Sequence, residues 1–132
     1  METPRLFRVI LPVADIEAAA AFYERLFGIP GQRVSGGRHY FDCGGTILAC
    51  YDAPADGDPA SVTPNPQYLY FSVEDLDEAY RRARAAGCRD LGEIEVQPWG
   101  ERSFYGRDPF RNPICFVDSQ TLFTGSRDSI RG

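Results

Sequence analysis

Residues 13–28, VADIEAAAAFYERLFG, and residues 73–87, VEDLDEAYRRARAAG, carry one structural grammar twice. The first copy follows Leu6 to Val13 (LFRVILPV), a run of β-branched and large apolar side chains that reads as a strand. Ile16, Ala19, Phe22, Tyr23, Leu26 and Phe27 then recur at helical spacing. Asp15 suits the N-cap, because its short carboxylate can accept from the free amides of the first turn, and Gly28 with Pro30 suits the stop. The second copy follows Tyr68 to Val73 (YLYFSV); Asp75 opens its helix, Glu78 sits at capping-box spacing, and Gly87 ends it. The junctions at Val13 and Val73 superpose at an offset of 60 residues, the signature of a duplication.

Strand material follows each helix. After the first come QRVSGG, RHYFDC, the Gly44-Gly45 dipeptide and TILACYD; two glycines between alternating runs predict a hairpin, since both turn positions then accept positive φ. After the second come GEIEVQPW, ERSFYGRD, a PFRN turn and PICFVDS. Each half thus reads β-α-β-β-β, and the fold class is α+β. The boundaries expected are repeat one at about 5–52, a Pro/Ala/Asp/Gly-dense linker or pocket-covering loop at 53–66, and repeat two at about 67–118. A C-terminal tail at 119–132 completes the chain, polar and frayed from Gly125 onward.

A chain of 132 residues, 43% hydrophobic, predicts one domain with one core. Fourteen Lys and Arg against 19 Asp and Glu give a net charge of -5, which argues against nucleic acid or an anionic membrane as partner. No apolar run approaches the roughly 20 residues of a membrane span, and the start lacks a signal-peptide pattern, so a cytoplasmic location is expected. Cys43, Cys50, Cys88 and Cys115 form no CxxC pair and read as buried thiols in a reducing compartment. Seven Tyr, nine Phe and one Trp stand against one His. Phenols and π-faces are plentiful, while the commonest acid-base and metal-binding side chain is nearly absent.

VAD-IEAAAAFYERLFG near the start and FYGRDPFRNPICFVD near the end, in this order and with this duplication, resemble the glyoxalase, bleomycin-resistance and extradiol-dioxygenase group, the vicinal oxygen chelate superfamily. The likeness runs from Leu6 to about Val117. It implies two βαβββ repeats forming cupped mixed sheets around a central cavity, closed within one chain or between two chains of a homodimer. It also implies metal ligands on the first and last strands of each half. On the first strands these lie seven residues before the capping aspartate, at Arg8 and Tyr68; on the closing strands they align near Ala49 and Cys115. Arg has no acceptor, Ala has no donor atom, and neutral Tyr is a poor ligand for hard divalent cations. One thiolate does not make a site, so neither metal nor other cofactor is expected.

Strand alternation assigns what fills the cup instead. With Arg8 inward, Leu6, Ile10 and Pro12 share its face, and Tyr68, Tyr70 and Ser72 form the matching face of repeat two. The Gly44-Gly45 turn pairs Asp42 with Ile47 and Tyr40 with Ala49, which brings Arg38, Tyr40, Asp42 and Tyr51 inward. Trp99 sits where a strand turns toward the pocket mouth, either covering the ligand or anchoring the core. The ligand-binding candidates are therefore Arg8, Arg38, Tyr40, Asp42, Tyr51, Tyr68, Tyr70, Trp99 and Cys115. Such a lining can stack a planar ring and hold one anionic group with a guanidinium fork. Arg8 must have a partner, either Asp42 or a ligand anion. Tyr68 and Tyr70 have a plain alternative as packing residues. His39 points toward the helix layer and reads as structural; Cys115 reads as a small buried hydrophobe rather than a nucleophile. Glu101 and Arg102 read as a solvated pair, and PFRN as a turn alone.

Two functions follow. The first is metal-free binding of a small aromatic or amphipathic molecule, as in the antibiotic-sequestering branch the resemblance brings in. The second is a lyase, isomerase or dioxygenase relative that uses Arg8 and cavity tyrosines, or displaced ligands such as His39, Asp42 or Cys115. A structural or regulatory partner protein with a vestigial cavity ranks third.

Overall fold

A computed structural model describes residues 3–125. The elements run β1 (Arg8–Pro12), α1 (Ile16–Phe27), β2 (Gln32–Ser35), β3 (Arg38–Cys43), β4 (Thr46–Tyr51), β5 (Leu69–Val73), α2 (Leu76–Ala86), β6 (Glu95–Val96), β7 (Arg102–Arg107) and β8 (Pro113–Asp118). Each half is a βαβββ module with its own four-stranded mixed sheet, ordered β1-β4-β3-β2 and β5-β8-β7-β6. In both, the first strand runs parallel to the last and the remaining pairs are antiparallel. The GEIEVQPW stretch is strand only at Glu95–Val96.

The helices begin and end where their caps require. Asp15 accepts from Ala18 N at 3.1 Å and Asp75 from Glu78 N at 3.0 Å, each satisfying an orphan amide. Gly28 and Gly87 close them in the left-handed region, at φ 74° and 84°. Only half of the capping box at Asp75 forms. The Glu78 side chain turns to Arg81 and Arg82, which hold its carboxyl below the ordinary value.

The two modules meet through their helices: α1 packs on α2, and one core unites Leu11, Phe22, Tyr23, Leu26, Phe41 and Leu48 with Leu76, Ala83, Phe104 and Phe116. Full burial of each large side chain contributes about 1.5–3 kcal/mol. Leu11, Val13, Leu48, Cys50, Ile114 and Phe116 face the helices, while Arg8, Ile10, Tyr70 and Ser72 are exposed on the opposite sheet faces. The β3–β4 register is Asp42↔Ile47 and Tyr40↔Ala49, as the Gly-Gly turn predicts. Gly44 and Gly45 take φ 66° and 106°, and Asp42 Oδ1 accepts from Gly45 N at 2.8 Å.

Three segments are more tightly held than their composition suggests. The start of the 53–66 stretch forms a 3-10 turn, Pro54–Asp56, pinned by Asp56, which accepts from Ser35 Oγ, Gly37 N and Arg38 Nε. At its far end Asn65 N donates to Asn112 Oδ1 at 2.8 Å. The PFRN turn is also more than a turn. Asp108, fully buried, accepts from the Tyr23 hydroxyl at 2.7 Å and from Asn112 Nδ2 at 2.9 Å, and Asn112 Nδ2 also donates to Pro12 O at 2.7 Å. Residues 119–125 dock through Thr121 Oγ1, which accepts from Arg102 N, and Phe123 N, which donates to Glu101. The remainder of the expected frayed tail, 126–132, lies outside the described residues.

Candidate functional site

The outward face of each sheet carries the candidate residues. In the first module, rows across the sheet place Arg8 beside Ile47 and Asp42, and Ile10 beside Ala49 and Tyr40. The Arg8 guanidinium lies over the Tyr40 ring at 5.4 Å and the Phe7 ring at 5.0 Å. No carboxylate pairs with it among the described residues; Asp42, the candidate partner, is engaged by the hairpin turn instead. Arg38 is committed elsewhere, stacked 4.2 Å over Tyr51 and ion-paired to Asp56 at 3.2 Å. The Tyr51 hydroxyl donates to Asp58.

In the second module the row Tyr70–Cys115–Tyr105 crosses the sheet. Tyr68, just before β5, sets its ring edge-on to Tyr105 at 4.9 Å and lies 6.4 Å from Tyr70. Burial, with Cys115 and Tyr70 alongside, pushes the Tyr105 phenol up to about 12. Burial likewise pushes the Cys115 thiol up to about 12, so it is a neutral thiol at physiological pH. Tyr105 is absent from the sequence candidates. Alternation along β7 puts it with Ser103 on the Cys115 face, a signal that counting back across the PFRN turn would have reached.

Two cavities border these faces. A groove of about 1050 Å3 between the modules takes Tyr68 and Tyr70 from β5 and its approach, Val9 from β1 with Leu6 just before it, Asp42 from the hairpin, and Phe27 and Arg82 from the two helices. A second pocket, about 460 Å3, is walled by Tyr70, Trp99, Glu101, Val117, Leu122 and Phe123. Arg8, Arg38, Tyr40, Tyr51 and Cys115 line neither. Trp99 is partly exposed and its indole N–H donates to Glu101 at 2.7 Å, so it is a pocket wall rather than a core anchor. Glu101 and Arg102, expected as a pair, part company: Arg102 reaches Asp77 and Asp118. His39 is buried on the helix side, with Nε2 3.0 Å from Pro30 O and Nδ1 accepting from Arg33 Nε at 3.3 Å. Both ring nitrogens thus have structural partners.

The four positions that the resemblance aligns with metal ligands carry Arg8, Ala49, Tyr68 and Cys115, a set without the carboxylates and imidazoles a divalent cation needs. Among the described residues no three His, Cys, Asp or Glu side chains gather as a metal site would require.

Paired βαβββ modules, each with a mixed four-stranded sheet, define the class: a vicinal-oxygen-chelate fold. The family model of the Glyoxalase/Bleomycin resistance protein/Dioxygenase superfamily matches residues 5–116, and the chain belongs to that superfamily. No curated protein matches the chain in sequence. Among solved structures, a glyoxalase-related enzyme from Fulvimarina pelagi is 21% identical, with 94% of each chain covered and a TM-score of 0.75. A lactoylglutathione lyase from Agrobacterium tumefaciens is 24% identical over 89% of this chain and 95% of its own, with a TM-score of 0.66. A bleomycin-binding protein complexed with bleomycin is 25% identical over 89% of this chain and 99% of its own, again at 0.66. No helix among the described residues is long and apolar enough to cross a membrane.

Proposed function

We propose that the chain is a small-molecule-binding protein that works without metal, taking an aromatic or amphipathic ligand on its Tyr- and Arg-bearing sheet faces as a homodimer. The observation that carries this reading is Arg8: a guanidinium on the exposed sheet face, supported by aromatic rings, with no carboxylate pairing with it among the described residues. An anionic group on a planar ligand would satisfy it with charge-assisted hydrogen bonds, and the tyrosines Tyr40, Tyr68, Tyr70 and Tyr105 supply stacking surface. The bleomycin-binding relative supports a ligand of this kind. Burial pushes the Cys115 thiol up to about 12, which argues against a thiolate nucleophile at that position. The metal reading of the fold is not adopted, since the donor set Arg8, Ala49, Tyr68 and Cys115 does not fit it.

The test pairs metal analysis with a probe. Purified protein should carry no stoichiometric iron, zinc, nickel or manganese, and adding them should leave its melting temperature unchanged. The aromatic anion 8-anilinonaphthalene-1-sulfonate should bind, and Arg8→Ala should weaken it by about tenfold, the loss of one charge-assisted contact. Near-stoichiometric tightly bound metal, or unchanged probe affinity in Arg8→Ala, would sink the proposal.

A further inference from the structure

The 460 Å3 pocket of the second module differs in character from the cationic face of the first. Tyr70, Phe71, Trp99 and Phe123 contribute four aromatic residues to its walls, and Glu101 contributes a carboxylate. One Glu101 oxygen accepts from Trp99 Nε1 at 2.7 Å and the other from Phe123 N at 2.9 Å. Glu101 thereby holds the indole on one side of the pocket and the C-terminal segment on the other. Its charge is unanswered: none of the ion pairs among the described residues includes Glu101, and the adjacent Arg102 is turned to Asp77 and Asp118. The rings are open as well. Neither Trp99 nor Phe123 packs on another ring among the described residues, and the chain's own guanidinium stacks lie on Phe7, Tyr40, Tyr51 and Tyr80.

A carboxylate with no ion pair among the described residues, beside open aromatic faces, attracts positive charge, since each ring face carries the negative end of its quadrupole and indole is the strongest of the three ring types. A neutral ligand would cover Glu101 without answering its charge, and an anion would be repelled. The net charge of -5 adds long-range attraction of the same sign. We infer that this pocket is a binding site for an organic cation, an alkylammonium or a cationic nitrogen ring. A volume of about 460 Å3 falls in the range of small-molecule sites. This inference goes beyond the proposed function and stands apart from it, because its determinant is Glu101 rather than Arg8.

Trp99 is the only tryptophan, so its fluorescence reports the pocket directly. Full-length protein is titrated with choline and with 3,3-dimethylbutan-1-ol, its neutral isostere. Choline should shift Trp99 emission saturably, and the isostere should bind at least tenfold more weakly. Glu101→Gln retains an amide oxygen to accept from Trp99 but loses the charge, and it should weaken choline at least tenfold. The comparison of choline with its isostere on the unchanged protein decides the matter even if that variant folds poorly. No saturable choline response, discrimination below tenfold, or a well-folded Glu101→Gln with unchanged affinity would each overturn the inference.

Discussion

Arg111 sits at φ 69°, in the left-handed region that penalises a side chain, at the tight end of the turn between β7 and β8. Its amide donates to Asp108 O at 3.1 Å and its carbonyl accepts from Arg107 Nη1 at 3.1 Å, so the backbone there is held by the turn, while the Arg111 side chain is exposed. Glycine accepts this conformation freely but loses more entropy on folding, and the first effect is the larger at a position fixed in this region. Arg111→Gly is therefore expected to stabilise the fold by about 0.5–1 kcal/mol, raising the melting temperature by roughly 2–4 °C. A lowered melting temperature in calorimetry would show that the arginine side chain contributes more than its backbone strain costs. At this scale the sequence was informative wherever one alternation rule decided the answer. The outward face of Arg8, the helix-side position of His39 and the Asp42↔Ile47 pairing follow from the period of two and a two-residue turn. The engagement of Asp42 by Gly45 rather than Arg8 did not follow, because turn capping and ion pairing compete for one carboxylate and only the local geometry chooses.

The elements themselves were legible because their signals are local: a capping aspartate, an apolar stripe, a left-handed glycine, each within one helix. What joins the two modules was not, since its partners lie far apart in the chain. Tyr23 of α1 meets Asp108 across 85 residues, and Asn112 meets Pro12 across 100. Among the described residues Asp108 has no cation partner, and it relies on hydrogen bonds from Tyr23, Asn112 and the Phe110 and Asn112 amides. Removing one donor leaves a buried carboxylate short of a bond. Tyr23→Phe is expected to cost about 1–3 kcal/mol, and Asn112→Ala about 3 kcal/mol or more because three hydrogen bonds are lost together. Urea denaturation of the two variants measures both. Burial, reinforced by Asp108, also raises the Tyr23 phenol well above its ordinary 10.0. Above about pH 10 the unfolded chain releases this proton while the folded chain retains it, so stability falls as pH rises. Tyr23→Phe lacks that contribution, and its stability should decline less steeply over the same alkaline range. Parallel slopes would mean that Tyr23 does not hold its proton through the fold.

At the scale of the whole molecule, the helices consume the inner faces of both sheets and leave the outer faces open. Leu6 is 69% exposed, Tyr70 58% and Val96 72%, with Phe7, Ile10 and Trp99 also prominent. Apolar groups spread over two sheet faces of so small a chain expect a cover. A second copy related by a twofold axis can set the Arg8 face of one chain against the Tyr70–Cys115–Tyr105 face of the other, twice over, which would unite guanidinium and phenols around each ligand. The first face offers Arg8 beside Tyr40, and the second would add Tyr70 and Tyr105 to it. The unmodified chain is accordingly expected to run as a dimer in light scattering at micromolar concentration, burying at least about 1,200 Å2 in total. Ile10→Glu places an unpaired charge at the centre of the first face. It should shift the equilibrium toward monomer by at least tenfold and, if the ligand is shared between copies, should weaken the anionic probe in the same proportion. A monomeric parent chain would show that each face binds alone. A dimer unmoved by Ile10→Glu would place the interface elsewhere, on the exposed Val34 and Ile29 side of the first module.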